Sequence, residues 1–172
     1  MPTSELVPNE TLKASDACLD LIMGSEGFRK FPYPDCAGVL TVGYGHKVTS
    51  HEFDGGINLK QALVLLDIDK AVAEGNVRRL VSVPLTQGQF DALVDFDFNE
   101  GKSRLEKSTL LERLNAGDYE AVPDQLYRVD PDGTQHGWIY AHEEVAPGVF
   151  EARIEPGLVK RRQKEIELWR AA

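Results

Sequence analysis

The chain has 172 residues and a formal net charge of -9, with 42% hydrophobic and 27% charged residues. That is the composition of an ordinary globular protein, long enough to bury a substantial core as one domain over residues 1–172. Its acidity argues against a nucleic-acid partner, since phosphates demand basic surface.

No run of about 18 apolar residues is present, so no helix is expected to insert stably in a membrane. The polar, acidic start MPTSELVPNETLK lacks the basic and apolar parts of a secretory leader, so synthesis in a cytoplasm with a separate export route is expected. Cys18 and Cys36 belong to no CxxC and no cluster of metal-ligand spacing. Free thiols are expected, and structural zinc is not.

In chain order, residues 1–8 read as a loose lead-in. A first helix fits roughly 9–24: Asn9 caps it, Leu12, Cys18, Leu19 and Ile22 recur at helical spacing, and Gly24 ends it. Over 27–57, short β-prone runs broken by Pro32, Pro34, Gly38, Gly43 and Gly45 predict a small antiparallel sheet, closed by Asp54-Gly55-Gly56. Asn58 with Gln61 is a capping-box pattern. It opens a long helix reaching as far as Val81, with Leu59, Ala62, Leu63, Leu66 and Val72 as its apolar stripe and Gly75 as a candidate bend. Thr86 with Gln89 repeats the signal, and Phe90, Leu93, Val94 and Phe98 supply an inward face.

Ser108 and Asp118 are candidate caps of two shorter helices. A last helix fits about 157–170, with Leu158, Val159, Ile166 and Trp169 inward. Residues 128–156 read as irregular and long for a connection. Their turn formers alternate with Trp138, Tyr140 and Phe150, so part of the stretch is expected to fold back on the helical lobe. Glu143, Glu144, Glu151 and Glu155 should then face outward. The expected fold class is α+β. A small antiparallel sheet lobe (about 25–57) joins a larger helical lobe (about 58–172) through the long helix, with the first helix packed on the helical lobe.

Glu26, Asp35 and Thr41 form a constellation with chemical meaning. Glu26 falls just past the first helix, Asp35 at a turn and Thr41 on the following β-prone run, an order that can surround one cleft. Glycoside hydrolysis needs two carboxyls, one donating a proton to the leaving oxygen and one activating water or attacking the sugar, and a nearby hydroxyl can hold that water. On residue types alone the alternatives stay open: a helix-end glutamate, a turn aspartate and an ordinary strand threonine.

The neighbouring residues narrow this. Glu26-Gly27-Phe28-Arg29, Tyr33, Asp35, Gly38, Thr41, Gly43, Gly45 and His46 resemble the phage-type lysozymes of glycoside hydrolase family 24, whose outline is E-G-x-R, Y-x-D and G-x-x-T-x-G-x-G-H at these spacings. The similarity continues through Leu85-Thr86-Gln87, Gln89-Phe90-Asp91-Ala92-Leu93-Val94, Phe98-Asn99-Glu100-Gly101, Ser108-Thr109-Leu110-Leu111, Leu114-Asn115-Ala116-Gly117, and Gly157-Leu158-Val159 to Trp169. It covers about residues 12–127 and 157–169.

The resemblance implies a lysozyme-like fold with a cleft between the lobes. It implies a muramidase that hydrolyses the β-1,4 bond between N-acetylmuramic acid and N-acetylglucosamine in bacterial peptidoglycan, as a phage endolysin does in host lysis. By the same resemblance Glu26 is the general acid, and Asp35 with Thr41 positions and activates water on the opposite ring face, an inverting arrangement. Peptidoglycan glycan strands are the implied partner, no metal or cofactor is needed, and a monomer is expected. The protein would be made in the host cytoplasm and reach the wall through a holin or another release route.

Four further residues are candidate substrate contacts. Tyr33 lines the cleft or packs the hairpin, and Gly45 lets a sugar approach the backbone. His46 invites a catalytic or substrate-contact reading, or supports the hairpin. Asn99 serves the lobe junction or a helix end. Of Arg161 and Arg162, one reaches the Glu26 region, or both form a solvated basic face. A lytic transglycosylase would need only the glutamate, so Asp35 and Thr41 argue against it. A binding-only module would lack part of the triad. An injected effector or virion enzyme would carry the same motifs.

Overall fold

The computed structural model describes residues 6–35 and 38–171, so Cys36 lies outside the described residues. Among the described residues the fold is α+β, with three small antiparallel sheets and a helical body. The chain opens with a short 3-10 turn, Asn9–Thr11, followed by α1 (Asp16–Glu26). The first helix therefore starts seven residues later than the sequence suggests. Asn9 does not cap a helix; its buried amide donates to the carbonyls of Val81 (3.1 Å) and Val83 (2.9 Å), which ties the lead-in to the far end of the long helix. Gly24 does not end α1 either. The stop is Gly27, at φ 68, whose N–H bonds the Met23 carbonyl. A left-handed φ favours glycine, and at this helix end it is Gly27, not Gly24, that adopts one. Glu26 consequently belongs to the last turn of the helix and shares its rigidity.

The small sheet has the order β1 (Arg29–Pro34), β2 (Leu40–Gly43), β3 (His46–Lys47). Tyr33 pairs with Thr41, and Thr41 with Lys47. Alternation puts Val42 on the opposite face, where it packs with Val48, Ile57 and Ala62 in a small core of its own.

The capping box of Asn58 and Gln61 forms as expected and starts α2 (Leu59–Leu80), which runs unbroken through Gly75. At 1.5 Å per residue it is about 33 Å long. Its inward stripe differs from the expected one: Ala62, Leu66, Ala73 and Val77 are buried, while Leu59, Leu63 and Val72 are exposed. The 3.6-residue pitch can bury only one side of the helix, and contact with the small sheet, α1 and α3 selects the Ala62–Val77 side.

α3 (Gln87–Glu100) begins with the second capping box, at Thr86 and Gln89, and is buried from Gln89 to Asp97. It is the axis of the main core, wrapped by α1, α2 and α7 (Pro156–Arg170). A short α4 (Lys102–Glu106), absent from the sequence reading, precedes α5 (Thr109–Asn115) and α6 (Ala121–Leu126). Ser108 caps α5 by accepting from Leu111 N, and the Asp118 carboxylate accepts from Ala121 N at the start of α6.

The segment expected to be irregular is ordered as two hairpins: β4 (Tyr127–Val129) with β5 (Gln135–Gly137), and β6 (Tyr140–Ala146) with β7 (Val149–Ile154). Trp138 folds back as expected, edge-on to Phe96 at 5.3 Å, and Ile139 beside it is fully buried. Tyr140 and Phe150 stay exposed on the second hairpin, Phe150 at 62%. Glu144, Glu151 and Glu155 face solvent.

Candidate active site

Glu26 ends α1 with its carboxylate in a fixed cradle. Arg161 Nη1, from α7, donates to Glu26 Oε1 at 2.6 Å. The same guanidinium donates through Nε and Nη2 to both oxygens of Asp95 on α3, each at 2.9 Å. Asp95 is fully buried and Arg161 is 5% exposed. Burial works against the Arg161 charge, but the Asp95 and Glu26 carboxylates outweigh it and hold the guanidinium more firmly protonated than usual. Planar bidentate pairing fixes the orientation of the fork, so its third nitrogen can meet Glu26 in one place only.

Beneath this lies a second arginine. Arg162, fully buried, stacks its guanidinium over Phe96 at 4.9 Å and donates through Nη2 to Asn99 Oδ1 at 2.7 Å. Its Nη2 is also 2.8 Å from Glu165 Oε1. Among the described residues neither Glu165 oxygen has a hydrogen-bond partner, so Arg162 meets it as a close contact without a hydrogen bond. Burial pushes the Glu165 carboxyl well above its ordinary range, more than Arg162 pulls it down, and the neighbouring Asp95 adds to the rise. Neither arginine forms the solvated basic face that was one reading of the sequence; both lie inside the protein.

Asp35 sits in the β1–β2 turn, where its Oδ1 accepts from Val39 N at 2.8 Å and its own N–H bonds the Val39 carbonyl. Thr41, 3% exposed, donates from Oγ1 to the Tyr33 carbonyl at 3.4 Å. The hairpin thus brings Asp35, Thr41 and Tyr33 together, and Arg29 rests over the Tyr33 ring at 5.5 Å. The β2–β3 turn brings Gly45 to the glutamate: a Cβ there would lie 3.1 Å from Glu26 Oε2, and φ is 83. Only a residue without a side chain lets the turn sit this close.

His46 Nδ1 is 2.9 Å from Asp69 Oδ2, and its ring meets Phe53 edge-on, so it ties β3 to α2. It also borders a cavity of about 450 Å³ with Gly45, Asp69, Asn76, Asp97 and Phe98. Asp97, in that wall, is buried and hydrogen-bonded by Asn76 at 2.8 Å; burial raises its carboxyl above the ordinary range. Asn99, a candidate substrate contact, has its side-chain oxygen committed to Arg162 instead. Cys18 is a free, buried thiol.

The sequence reading passed over Asp95 and gave Glu165 no role beyond its place in the C-terminal pattern. The visible signal was the pair Asp91 and Asp95, one helical turn apart within the apolar run of α3, where a carboxylate without a cation is costly. Among the described residues no group of three or more His, Cys, Asp or Glu side chains is arranged to hold a metal ion.

The chain is similar to known proteins over most of its length. Residues 23–165 match the family model described as Phage lysozyme. A SAR-endolysin of Escherichia phage Mu is 37% identical over 144 residues, covering 84% of this chain and 73% of that protein. An endolysin of Acyrthosiphon pisum secondary endosymbiont phage 1 is 35% identical over 161 residues, covering 92% and 98%. Among solved structures, the muramidase domain of SpmX from Asticaccaulis excentricus superposes with a TM-score of 0.75 at 31% identity, covering 92% of this chain and 97% of that one. The endolysin of Escherichia coli phage FAHEc1 gives 0.71 at 27% identity, covering 92% and 94%.

Proposed function

We propose a residue-by-residue mechanism for a chain that belongs to the phage lysozyme family. The chain is a glycoside hydrolase, a lysozyme that hydrolyses bacterial peptidoglycan. The reading assigned to its site is that Glu26 is the acid, Asp35 with Thr41 is the water site, and the cut inverts the anomeric carbon. The observation that carries it is the Glu26 cradle. Arg161 occupies Oε1, which leaves Oε2, beside the Gly45 backbone, as the oxygen that carries the proton.

In this mechanism Oε2–H donates to the glycosidic oxygen as the bond to the anomeric carbon breaks. A water held by the Asp35 carboxylate and the Thr41 hydroxyl attacks the opposite face, and its proton passes to Asp35. Glu26 ends deprotonated and Asp35 protonated, and exchange with solvent resets both. Inverting enzymes keep the two carboxyls about 6.5–9.5 Å apart so that water fits between them. Thr41 donates only a long hydrogen bond, to Tyr33, which leaves its oxygen able to accept from that water. Tyr33, Gly45 and His46 border the sugar path, and Asn99 supports it through Arg162. The partner is the glycan strand and not nucleic acid, as a net charge of -9 favours.

The test is product analysis of purified peptidoglycan digested in 18O-labelled water. Fragments ending in a reducing muramic acid, with inversion and one label per cut, are expected. Anhydro-terminated fragments, or retention through an adduct on Asp35, would refute the assignment.

Delivery is part of the same proposal. Among the described residues no helix is long and apolar enough to cross a membrane. A separate membrane-opening partner is therefore proposed to give the enzyme its wall. Expressed alone in a bacterial cytoplasm the chain should leave optical density rising, and co-expression of a holin should cause a sudden fall. Prompt lysis by the chain alone would overturn this.

A further inference from the structure

Glu26 is held by a cation. Arg161 Nη1 stands 2.6 Å from its Oε1. A guanidinium at that distance favours a carboxylate over a carboxylic acid, by about 1–3 pH units. A general acid needs the opposite, because it must still hold its proton when the substrate arrives. The contact that fixes Glu26 in place therefore works against its role, unless another group cancels the charge of Arg161.

Asp95 is placed to cancel it. Both Asp95 oxygens accept from the guanidinium, through Nε and Nη2 at 2.9 Å each, whereas Glu26 receives one nitrogen. Asp95 is fully buried and Arg161 is 5% exposed, so water and salt screen little of their attraction. The surrounding groups leave that balance intact. Arg162, next on α7, faces Glu100 of α3 at 3.8 Å. Glu165 lies beside Asp95, and its burial favours the uncharged acid. On α1 the Cys18 thiol neighbours Asp95, Arg161, Asp91 and Glu74, and burial keeps it protonated. Asp91 is engaged by Ser15 and Gln87, and Glu74 by Arg78. From the small sheet, Gly45 brings only backbone to Glu26, and His46 is paired with Asp69.

We propose that Asp95 is a positioning residue that acts through Arg161: its bidentate pairing cancels the charge of the guanidinium, so the fork holds Glu26 by a hydrogen bond without drawing off its proton. The proposal rests on the reading of Glu26 as the acid. It gives the buried aspartate of α3 a part in the chemistry, although no atom of it touches substrate.

The test is the pH dependence of kcat/KM on soluble peptidoglycan glycan fragments, measured below the melting temperature of every variant. The alkaline limb of that profile reports the proton on the acid. Arg161 stays charged across the series. Asp95→Asn leaves the whole charge of Arg161 facing Glu26, so the limb should move down by about 1–3 pH units. Activity above the limb should fall by about tenfold for each unit. Asp95→Asn/Arg161→Met removes anion and cation together, which a buried site tolerates far better than the loss of one partner. Its rate should be lower, because Glu26 has lost its holder, but its limb should lie within about one unit of the parent's. An Asp95→Asn limb at the parent's position, with the rate lowered equally at every pH, makes Asp95 a structural partner only and overturns the proposal. So does a limb displaced by more than about one unit in the double variant, which decides alone if Asp95→Asn does not fold. Glu26→Gln separates the two readings. If it keeps the parent's limb, the acid assignment falls and this proposal with it. If it is inactive and the Asp95→Asn limb has not moved, this proposal alone falls.

Discussion

Glu26→Gln should lower wall-degrading activity by about 100- to 10,000-fold while leaving the unfolding transition in place. Glutamine has nearly the same shape, and its Oε1 can still accept from Arg161 Nη1, so the cradle at the end of α1 persists. What disappears is the transferable proton at the position of Oε2, beside Gly45. An amide N–H cannot be given to a leaving oxygen, so the bond must break against an unprotonated leaving group. Clearing of purified cell walls, followed beside thermal unfolding by circular dichroism, reads both quantities. A folded variant within about tenfold of the parent would remove Glu26 from the acid role.

Arg161→Met should destabilise the protein by about 3–5 kcal/mol, because it leaves Asp95 buried without its cation. Asp95 has no exposure, and the two 2.9 Å bonds from Arg161 offset the cost of keeping it dry. The same change frees Glu26 Oε1, so activity should fall even below the melting temperature.

Glu165→Gln makes the contrasting variant. Burial raises the Glu165 pKa above its ordinary 4.5 in the folded protein. The raised group gives its full contribution below that value and loses it as pH climbs towards the folded pKa. An amide imitates the neutral acid at every pH. The variant should therefore match the parent near pH 4.5 and gain on it as pH rises. Urea unfolding across a pH series measures all three proteins. An Arg161→Met variant within about 1 kcal/mol of the parent, or a Glu165→Gln variant equally destabilised at every pH, would sink this account of the network.

These charges also mark where the sequence was hard to read. The capping boxes at Asn58 and Thr86 were legible because a cap is a local contract between residues three apart. The Glu26–Gly45 stretch was legible because its fixed spacings resemble a family's. The start of α1 was not, since Asn9 looks like a cap until its partners, 72 and 74 residues away, are known. Arg161 and Arg162 could be read either as a reach towards Glu26, which Arg161 makes, or as surface, where arginines usually lie. What buries them is Asp95, Asn99 and Phe96 on another helix, a pairing no local window contains. The stripe on α2 was misread for a similar reason: periodicity reports that a helix is amphipathic, and its neighbours decide which flank they cover.

The second hairpin has a bearing on how this chain tolerates change. Its base is closed by one hydrogen bond, Glu155 N to Ile139 O at 2.8 Å, between a buried isoleucine and the residue that caps α7. Everything from Tyr140 to Ile154 leaves and returns through that single gap, and its strands pair only with each other. Extending such an excursion is thermodynamically mild, about 0.6 kcal/mol for each doubling of length. Trp138, Ile139 and Glu155 are fixed by the core and the helix start, and the fifteen residues between are not. That makes the position a natural port for insertion: a recognition peptide spliced in there would be presented beyond the body of the enzyme while Arg161, six residues past Glu155 on the same helix, keeps its place.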